Sequence, residues 1–412
     1  MIYQNKNLEP KNSFALTFGV IAVFLSLIPW YSFGLLSSDS MPWPFIGYLL
    51  FLFSLNHHIK LPKNFIVMFL ILLVGIYASL FISSNILDEN IFRSLYNYFG
   101  VVIFYIGFYN YLLKYGFPNN IFILCNILWL SFGLVELFFP EIASIFSKTR
   151  TDEHRGVTSL APEPTFFGMY LFFSSWLMIL GQKHSPSRLV APLILINLAS
   201  IFFLAQSSMI ILYLLISLIV FFIYAYFRLV WRKQFLKRTF YIALIILIVT
   251  TIINQTEEST RFLSLYSQLQ NELNLKLIFY VDGSLNSRLE HIVYSLHGSI
   301  NNFLIPAGFD TFIKLGDVFD SVYGYYFYNS PPSNKIMSWH GDWLYQLGFF
   351  GLIFVSYLFF ISSDGSRMRR FELLLLAILL LSAVPLAFPL ISMILAMYTY
   401  QSKISNYSNE KF

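Results

Sequence analysis

The sequence predicts an all-α, polytopic integral membrane protein, and three observations carry that prediction. Of the 412 residues, 57% are hydrophobic and only 11% are charged, with a mean hydropathy of +0.66. Soluble domains carry about 25% charged residues, so this chain lacks the means to cover a water-facing surface. Apolar runs close to 20 residues recur along it, the length a helix needs to cross the hydrocarbon core. The lysines and arginines, finally, concentrate in alternate connections between those runs.

Spans are expected at 13–36, 42–56, 64–84, 95–113, 119–139, 166–181, 189–205, 207–228, 239–254, 342–361 and 372–400. Lys6 and Lys11 precede the first run, which is too long for a signal h-region and lacks an A-x-A cleavage site, so it reads as an uncleaved span. The second and seventh runs are short and suit a small tilt or local bilayer thinning. The fifth holds the single cysteine, Cys125, which excludes a disulfide framework and a thiolate metal cage. The last run has 29 residues interrupted by Pro385 and Pro389. One straight helix of that length would measure about 44 Å against a core of roughly 30 Å. Two short helices meeting around Val384–Phe388 fit better and bring the count from 11 to 12.

With the N-terminus in the cytoplasm, the predicted inner segments hold fifteen lysines and arginines, from Lys6 to Arg370, whereas the short outer loops hold only Arg93. The positive-inside rule therefore sets the orientation. Three regions follow: a bundle over 1–254 with an outer loop at 140–165, a large outer-face segment at 255–341, and C-terminal helices with a cytoplasmic tail at 342–412. The long outer segment is rich in Tyr, Phe and Leu, which argues for order, and segments of that length are usually functional.

The spans carry almost no ionisable groups: Glu136 lies near the outer end of the fifth, and no Asp, Lys or Arg sits at a mid-membrane position. Seventeen of the 21 acidic residues fall on the predicted outer face. Four clusters stand out there. In "RGVTSLAPEPTFFG" (Arg155 to Gly168), Pro164 holds Glu163 extended and can open a helix. Glu163 then either caps that helix, where an acid suits the dipole, or does chemistry at the membrane interface. In "LNSRLEHIVYSLHGS", Arg288, His291 and Tyr294 recur at helical spacing, as on any amphipathic helix, while Glu290 points elsewhere. Arg288 gains a further meaning if the substrate is an anionic phosphate, which a guanidinium grips bidentately. "NNFLIPAGFDTF" reads first as a turn. In "MSWHGDWLYQLGFFGL", His340 and Asp342 are either an acid–base pair or a helix start with Asp342 as its cap.

Other site types are excluded. There is no GxGxxG or GxxxxGK[ST] loop, no HExxH or CxxC signature and no G-x-S-x-G elbow. Neither a resident metal nor a cofactor is expected, and the basic balance of +5 belongs to inner loops rather than to a nucleic-acid partner. A transporter would be expected to show charges facing a central cavity and internal repeats, which are not seen.

Taken together, these motifs resemble the Wzy-type O-antigen and capsule polymerases of the O-antigen ligase/polymerase superfamily. The matching pattern is R-G-x6-E-P-[ST]-x-x-G at Arg155 to Gly168, N-S-R-L at Asn286 to Leu289, [AG]-G-F at Ala307 to Phe309, and H-x3-L-x3-G at His340 to Gly348. Two departures stand beside it. Gly341 follows the histidine where the family commonly has Asn, and neither Arg155 nor Arg288 fits an R-x10-G spacing.

The resemblance implies a bundle like that of the GT-C glycosyltransferases in the bacterial inner membrane, with its active site on the outer face. It implies metal-independent transfer of a growing glycan from undecaprenyl pyrophosphate to a new lipid-linked repeat unit. The partners are then the bilayer, undecaprenyl-pyrophosphate-linked glycans and a chain-length regulator. Glu163, His340 and Asp342 become the candidate catalytic groups, and Arg155, Arg288, His291 and Tyr294 the candidate pyrophosphate and glycan contacts. An O-antigen ligase acting on lipid A–core is the neighbouring alternative, and a polysaccharide flippase the more distant one. The E-P-[ST] element favours the polymerase.

Overall fold

The computed structural model of the chain describes residues 13–30, 41–83, 89–141, 156–229, 283–327 and 335–409. In lipid every backbone N–H and C=O needs a partner within its own segment, and runs of Leu, Ile and Phe satisfy this as helices. Among the described residues there are fourteen α-helices and no strands. They are α1 (Ser13–Leu27), α2 (Trp43–Ser54), α3 (Phe65–Ile82), α4 (Glu89–Tyr115), α5 (Asn119–Phe138), α6 (Pro164–Gly181) and α7 (Val190–Ser200). After a π turn at Ile201–Ala205 come α8 (Ser208–Leu229), α9 (Gly283–Asn301), α10 (Lys314–Tyr323), α11 (Trp339–Gln346), α12 (Gly348–Ser362), α13 (Arg367–Leu379) and α14 (Pro389–Asn409).

α3, α5, α6 and residues Ile91–Tyr115 of α4 are long and apolar enough to cross a membrane, and α1, α2, α7, α8 and α12 are shorter apolar helices. The protein is a helical membrane protein. The break expected in the last apolar run is present: α13 stops at Leu379 and α14 starts at Pro389. Two expected spans differ. The run at 13–36 is helical only to Leu27 within its described part, which ends at residue 30. The run at 342–361 is broken, because Leu347 and Gly348 part α11 from α12. Gly348 has φ +57°, and a Cβ there would overlap the Leu304 carbonyl oxygen, so the junction requires glycine. The span expected at 239–254 lies outside the described residues.

α6 is central and α3 peripheral, with 83% against 28% of their apolar windows buried. α14 is the other central helix, buried from Pro389 through Thr399 and packed on α4, α6 and α12. α6 and α14 begin side by side. Trp30 is sandwiched between Phe166 of α6 and Phe388 before α14, with ring centroids 5.0 Å away on each side, and Trp129 meets it edge-on at 6.1 Å.

Neutral polar groups tie the bundle together where charges would be expensive. Asn126 Oδ1 on α5 accepts from Asn197 Nδ2 on α7 at 2.8 Å and from Ser174 Oγ on α6 at 3.1 Å, and Asn197 also donates to Ser175 Oγ at 2.9 Å. At the far end of α14, buried Arg369 lies 4.0 Å over the Tyr398 ring, donates to Gln401 Oε1 at 2.6 Å and meets Glu372 at 3.3 Å.

Trp30→Ala removes both faces of the aromatic sandwich. Truncations of this kind cost about 3–5 kcal/mol. A clear fall in the thermal midpoint of the detergent-solubilised protein is expected, against little change for Phe14→Ala, which is 63% exposed.

Candidate functional site

The site is assembled at the end of the bundle where α6 and α14 begin. Residues 156–163 reach it folded against α5 and the π turn after α7, with 157–161 buried. Gly156 has φ +95°, and a Cβ there would lie 2.5 Å from the Ala205 carbonyl oxygen, so the chain passes directly over the π turn. Val157 N–H donates to the Leu204 carbonyl at 2.8 Å. Glu136 then grips the next two residues: its carboxylate accepts from Thr158 N–H and Oγ1 at about 3.0 Å and from Ser159 N–H at 2.5 Å. Ser159, at φ +57°, donates its hydroxyl to the Trp129 carbonyl at 2.6 Å. The acid in the fifth span is thus an anchor for the segment that carries Glu163.

Glu163 occupies the N-cap position of α6, with φ −145° and ψ 150°, and Pro164 opens the helix. Its side chain makes no capping hydrogen bond, so the half-buried carboxylate is not spent on the helix start. One residue inside the helix, Thr165 Oγ1 accepts from the Arg288 guanidinium at 3.3 Å and from Ser207 Oγ at 3.2 Å. Two motif segments 123 residues apart therefore meet at the start of α6. Arg288 also acts electrostatically on the Tyr213 hydroxyl of α8, which is bonded to Ser382 in the turn before α14. Tyr213 and Ser382 were not singled out by sequence; each lies in an apolar run with no pattern to mark it.

α9 brings Arg288 here because both its start and its middle are held. Asn286 Nδ2 donates to the Tyr326 carbonyl at 2.8 Å. Further along, Ser295 packs so tightly on Gly341 of α11 that a Cβ at 341 would overlap its hydroxyl. The remaining members of the expected helix face take other places. Tyr294 is fully buried among Phe319, Tyr323 and Phe327, so it belongs to the core of the α9–α10 unit instead of a ligand surface. His291 is also fully buried, stacked on Phe312 at 5.1 Å, with Nδ1 accepting from Met337 N–H at 3.2 Å. Burial, reinforced by nearby Lys335, pushes its pKa down to about 4. Glu290, on another face of the helix, is fully buried as well. Arg155 lies outside the described residues.

His340 and Asp342 do not form a pair. Residues two apart on a helix face different ways, and α11 sends them to different neighbours. His340 Nε2 donates to the Ala377 carbonyl of α13 at 3.0 Å, which leaves Nδ1 as its acceptor. Its ring lines an apolar cleft of 210 Å³ walled by Trp343, Leu352, Val355 and Phe359. Burial lowers its pKa to about 4, an effect that the Ala377 bond opposes. Asp342 turns toward α4, where the Tyr98 hydroxyl is 2.9 Å from its backbone oxygen and 3.0 Å from Gln346 Oε1. Burial raises the Asp342 carboxyl well above the ordinary carboxylate range, against the pull of Lys335 and Arg93. The helix cap expected of Asp342 is supplied by Ser338, whose hydroxyl accepts from Gly341 N–H at 3.1 Å.

Comparison with family models, with curated proteins and with solved structures gives no match.

Two outcomes follow from this geometry. Glu136→Gln removes the charge from a carboxylate that holds three donors; hydrogen bonds to charged groups contribute about 1.5–3 kcal/mol. Amide exchange at Thr158 and Ser159 should quicken while that of α14 stays unchanged. For Asp342, a raised native pKa means the folded state keeps a proton that the unfolded chain releases. Its stabilisation is complete below about pH 3.9 and is lost as pH rises through the raised value. The thermal midpoint of Asp342→Asn, relative to wild type, should therefore climb as pH increases from 4 to 8.

Proposed function

We propose that the protein is a polymerase of lipid-linked glycan repeat units. On this reading it transfers a growing chain from undecaprenyl pyrophosphate to the sugar of a new lipid-linked unit, at the outer face of a bacterial inner membrane. The observation that supports it is the Arg288–Thr165 contact. That contact puts a guanidinium at the start of a buried helix whose N-cap residue, Glu163, makes no side-chain capping bond.

The reaction asks for such a start. The bond from the anomeric carbon to the pyrophosphate oxygen breaks as the acceptor hydroxyl oxygen bonds to that carbon. Negative charge collects on the departing pyrophosphate, and the hydroxyl proton needs a base. Arg288 takes the charge, helped by the positive end of the α6 dipole, which favours anions at this position. A preorganised donor in a water-poor site is worth far more than one in bulk water.

Glu163 is the base. Asp342 is disfavoured for that role because burial holds its proton, and His340 because its ring faces the apolar cleft on the α13 side. A ligase, which passes finished glycan to lipid A–core, has the same needs at its donor site. The E-P-T element is what favours the polymerase over it.

The deciding experiment is a glycan ladder from a strain lacking the gene, complemented with wild type, Arg288→Ala or Glu163→Gln. Glycolipid carrying a single repeat unit is expected after deletion, with the ladder restored by wild type alone. Loss of one such donor typically lowers turnover by about 10²–10³-fold. Accumulation of long lipid-linked polymer that never reaches the final acceptor would instead identify a ligase.

A further inference from the structure

α9 is 19 residues long, about 28 Å, and packs on α11 and α10. Its first turns carry Arg288 to α6. Its far end is built in an unusual way. Phe303 and Leu304, directly after the helix, have φ +52° and +57°, a left-handed conformation that bulky residues rarely adopt. The amides of the turn are nevertheless bonded: Phe303 N–H donates to the Ile300 carbonyl and Leu304 N–H to the Ser299 carbonyl, each at 2.9 Å, and the Leu304 carbonyl accepts from Phe349 N–H at 2.7 Å. The result is to drive apolar side chains outward. Phe303 is 87% exposed and Ile305 58%.

These side chains lie near an exposed apolar surface. α3 shows one face to the outside, running from Ile66 and Leu70 through Val74 and Tyr77 to Phe81, which is 82% exposed. The end of α3 is tied to the segment that follows the turn and to the end of α11. Ser83 Oγ donates to the Phe309 carbonyl at 3.1 Å, and Ser79 Oγ donates to the Gln346 carbonyl at 2.6 Å. A Cβ at Gly308 would lie 3.1 Å from Ile82. Phe349, 51% exposed at the start of α12, completes the belt next to Phe350, which packs on Gly75 of α3.

We propose that the 302–306 turn, with Phe349, is a wedge seated in the bilayer, so that lipid of the surrounding leaflet covers Phe303 and Ile305. Continuity with the lipid-facing stripe of α3 selects lipid as the occupant. The backbone strain at Phe303 and Leu304 then has a purpose, since it aims apolar groups at a medium that takes them up. α9 becomes a strap across the end of the bundle, tied to α6 at one end and floated in the membrane at the other. This inference does not depend on the proposed chemistry.

The test uses the full-length chain in phosphatidylcholine nanodiscs. Its one native thiol, Cys125, is fully buried and gives a quiet background. Single variants Phe303→Cys, Ile305→Cys and, as an aqueous control, exposed Ser321→Cys are labelled with an environment-sensitive fluorophore. Nitroxide-labelled lipid should quench the labels at 303 and 305 at least threefold more than the label at 321, with iodide showing the reverse order. Iodide quenching at 303 and 305 equal to that at 321 would overturn the wedge, and so would protection from both quenchers, which would mean that protein covers the turn. An unlabelled variant, Phe303→Asp/Ile305→Asp, guards against a dye that inserts by itself. If the turn is a wedge, the Asp pair lowers protection of α9 amides from exchange in nanodiscs but not in detergent; unchanged protection in both refutes it.

Discussion

The stacking of Trp30 between Phe166 and Phe388 is the contact on which the rest of the arrangement hangs. Helices in lipid gain nothing from escaping water, so packing and a few directional contacts must decide their register. Here one indole sets the starts of the two central helices at the same level. Each of those helices opens on a proline, a residue with its φ already near the helical value and no amide hydrogen to leave unpaired. Two chains of contact run outward from this point. One passes along α6 to Thr165. The other passes through the turn before α14, whose Leu380, Leu381 and Ser382 carbonyls accept from His340 N–H, Ser338 Oγ and Trp339 N–H. That turn holds α11, and α11 holds α9 through Gly341 and Ser295. The two chains meet again where Arg288 touches Thr165.

Polarity is distributed to keep that circuit rigid without charge inside it. Asn126, Asn197, Ser174 and Ser175 join α5, α6 and α7 by neutral hydrogen bonds, which are affordable in a low-dielectric interior because most of their groups find partners. Charges appear at the ends. Glu136 has two adjacent residues of the incoming segment to hold, and Arg369 has an aromatic face, two carbonyl oxygens and a side-chain amide around it. A guanidinium can spread its charge over that many partners, so its burial there is tolerated.

Hydropathy alone located most of the helices, because in this medium composition and secondary structure are nearly the same statement. Pro385 and Pro389 announced the turn before α14 for a steric reason that acts locally. Pro164 likewise marked the start of α6, and the sign of the nearby charges pointed to its neighbourhood. What sequence could not reveal depends on partners far away in the chain. The Leu347–Gly348 break exists because the Leu304 carbonyl passes there. Tyr294 reads as a surface residue until α10 closes over it, and Glu136 reads as a stray acid until Thr158 and Ser159 fold back on it. The π turn after α7 shows no local signal either; it lies where the incoming segment crosses, under Gly156.

The separation of His340 from Asp342 has an electrostatic consequence. Both groups sit on one short helix, and burial drives each toward its uncharged form, the imidazole by losing a proton and the carboxyl by keeping one. A charged pair here would have to be desolvated against α4 and α13, and its attraction would be weakened by the helix that holds the two side chains apart. α11 is therefore nearly silent electrically, although its sequence is the most suggestive of acid–base chemistry. Among the described residues, Arg288, Glu163 and the helix itself contribute to the field at the start of α6. On the proposed reading this matters because the transition state carries its charge on the departing pyrophosphate. Further ionised groups under the site would either compete for Arg288 or repel the leaving group. A neutral α11 adds no charge of its own to the one that develops during transfer.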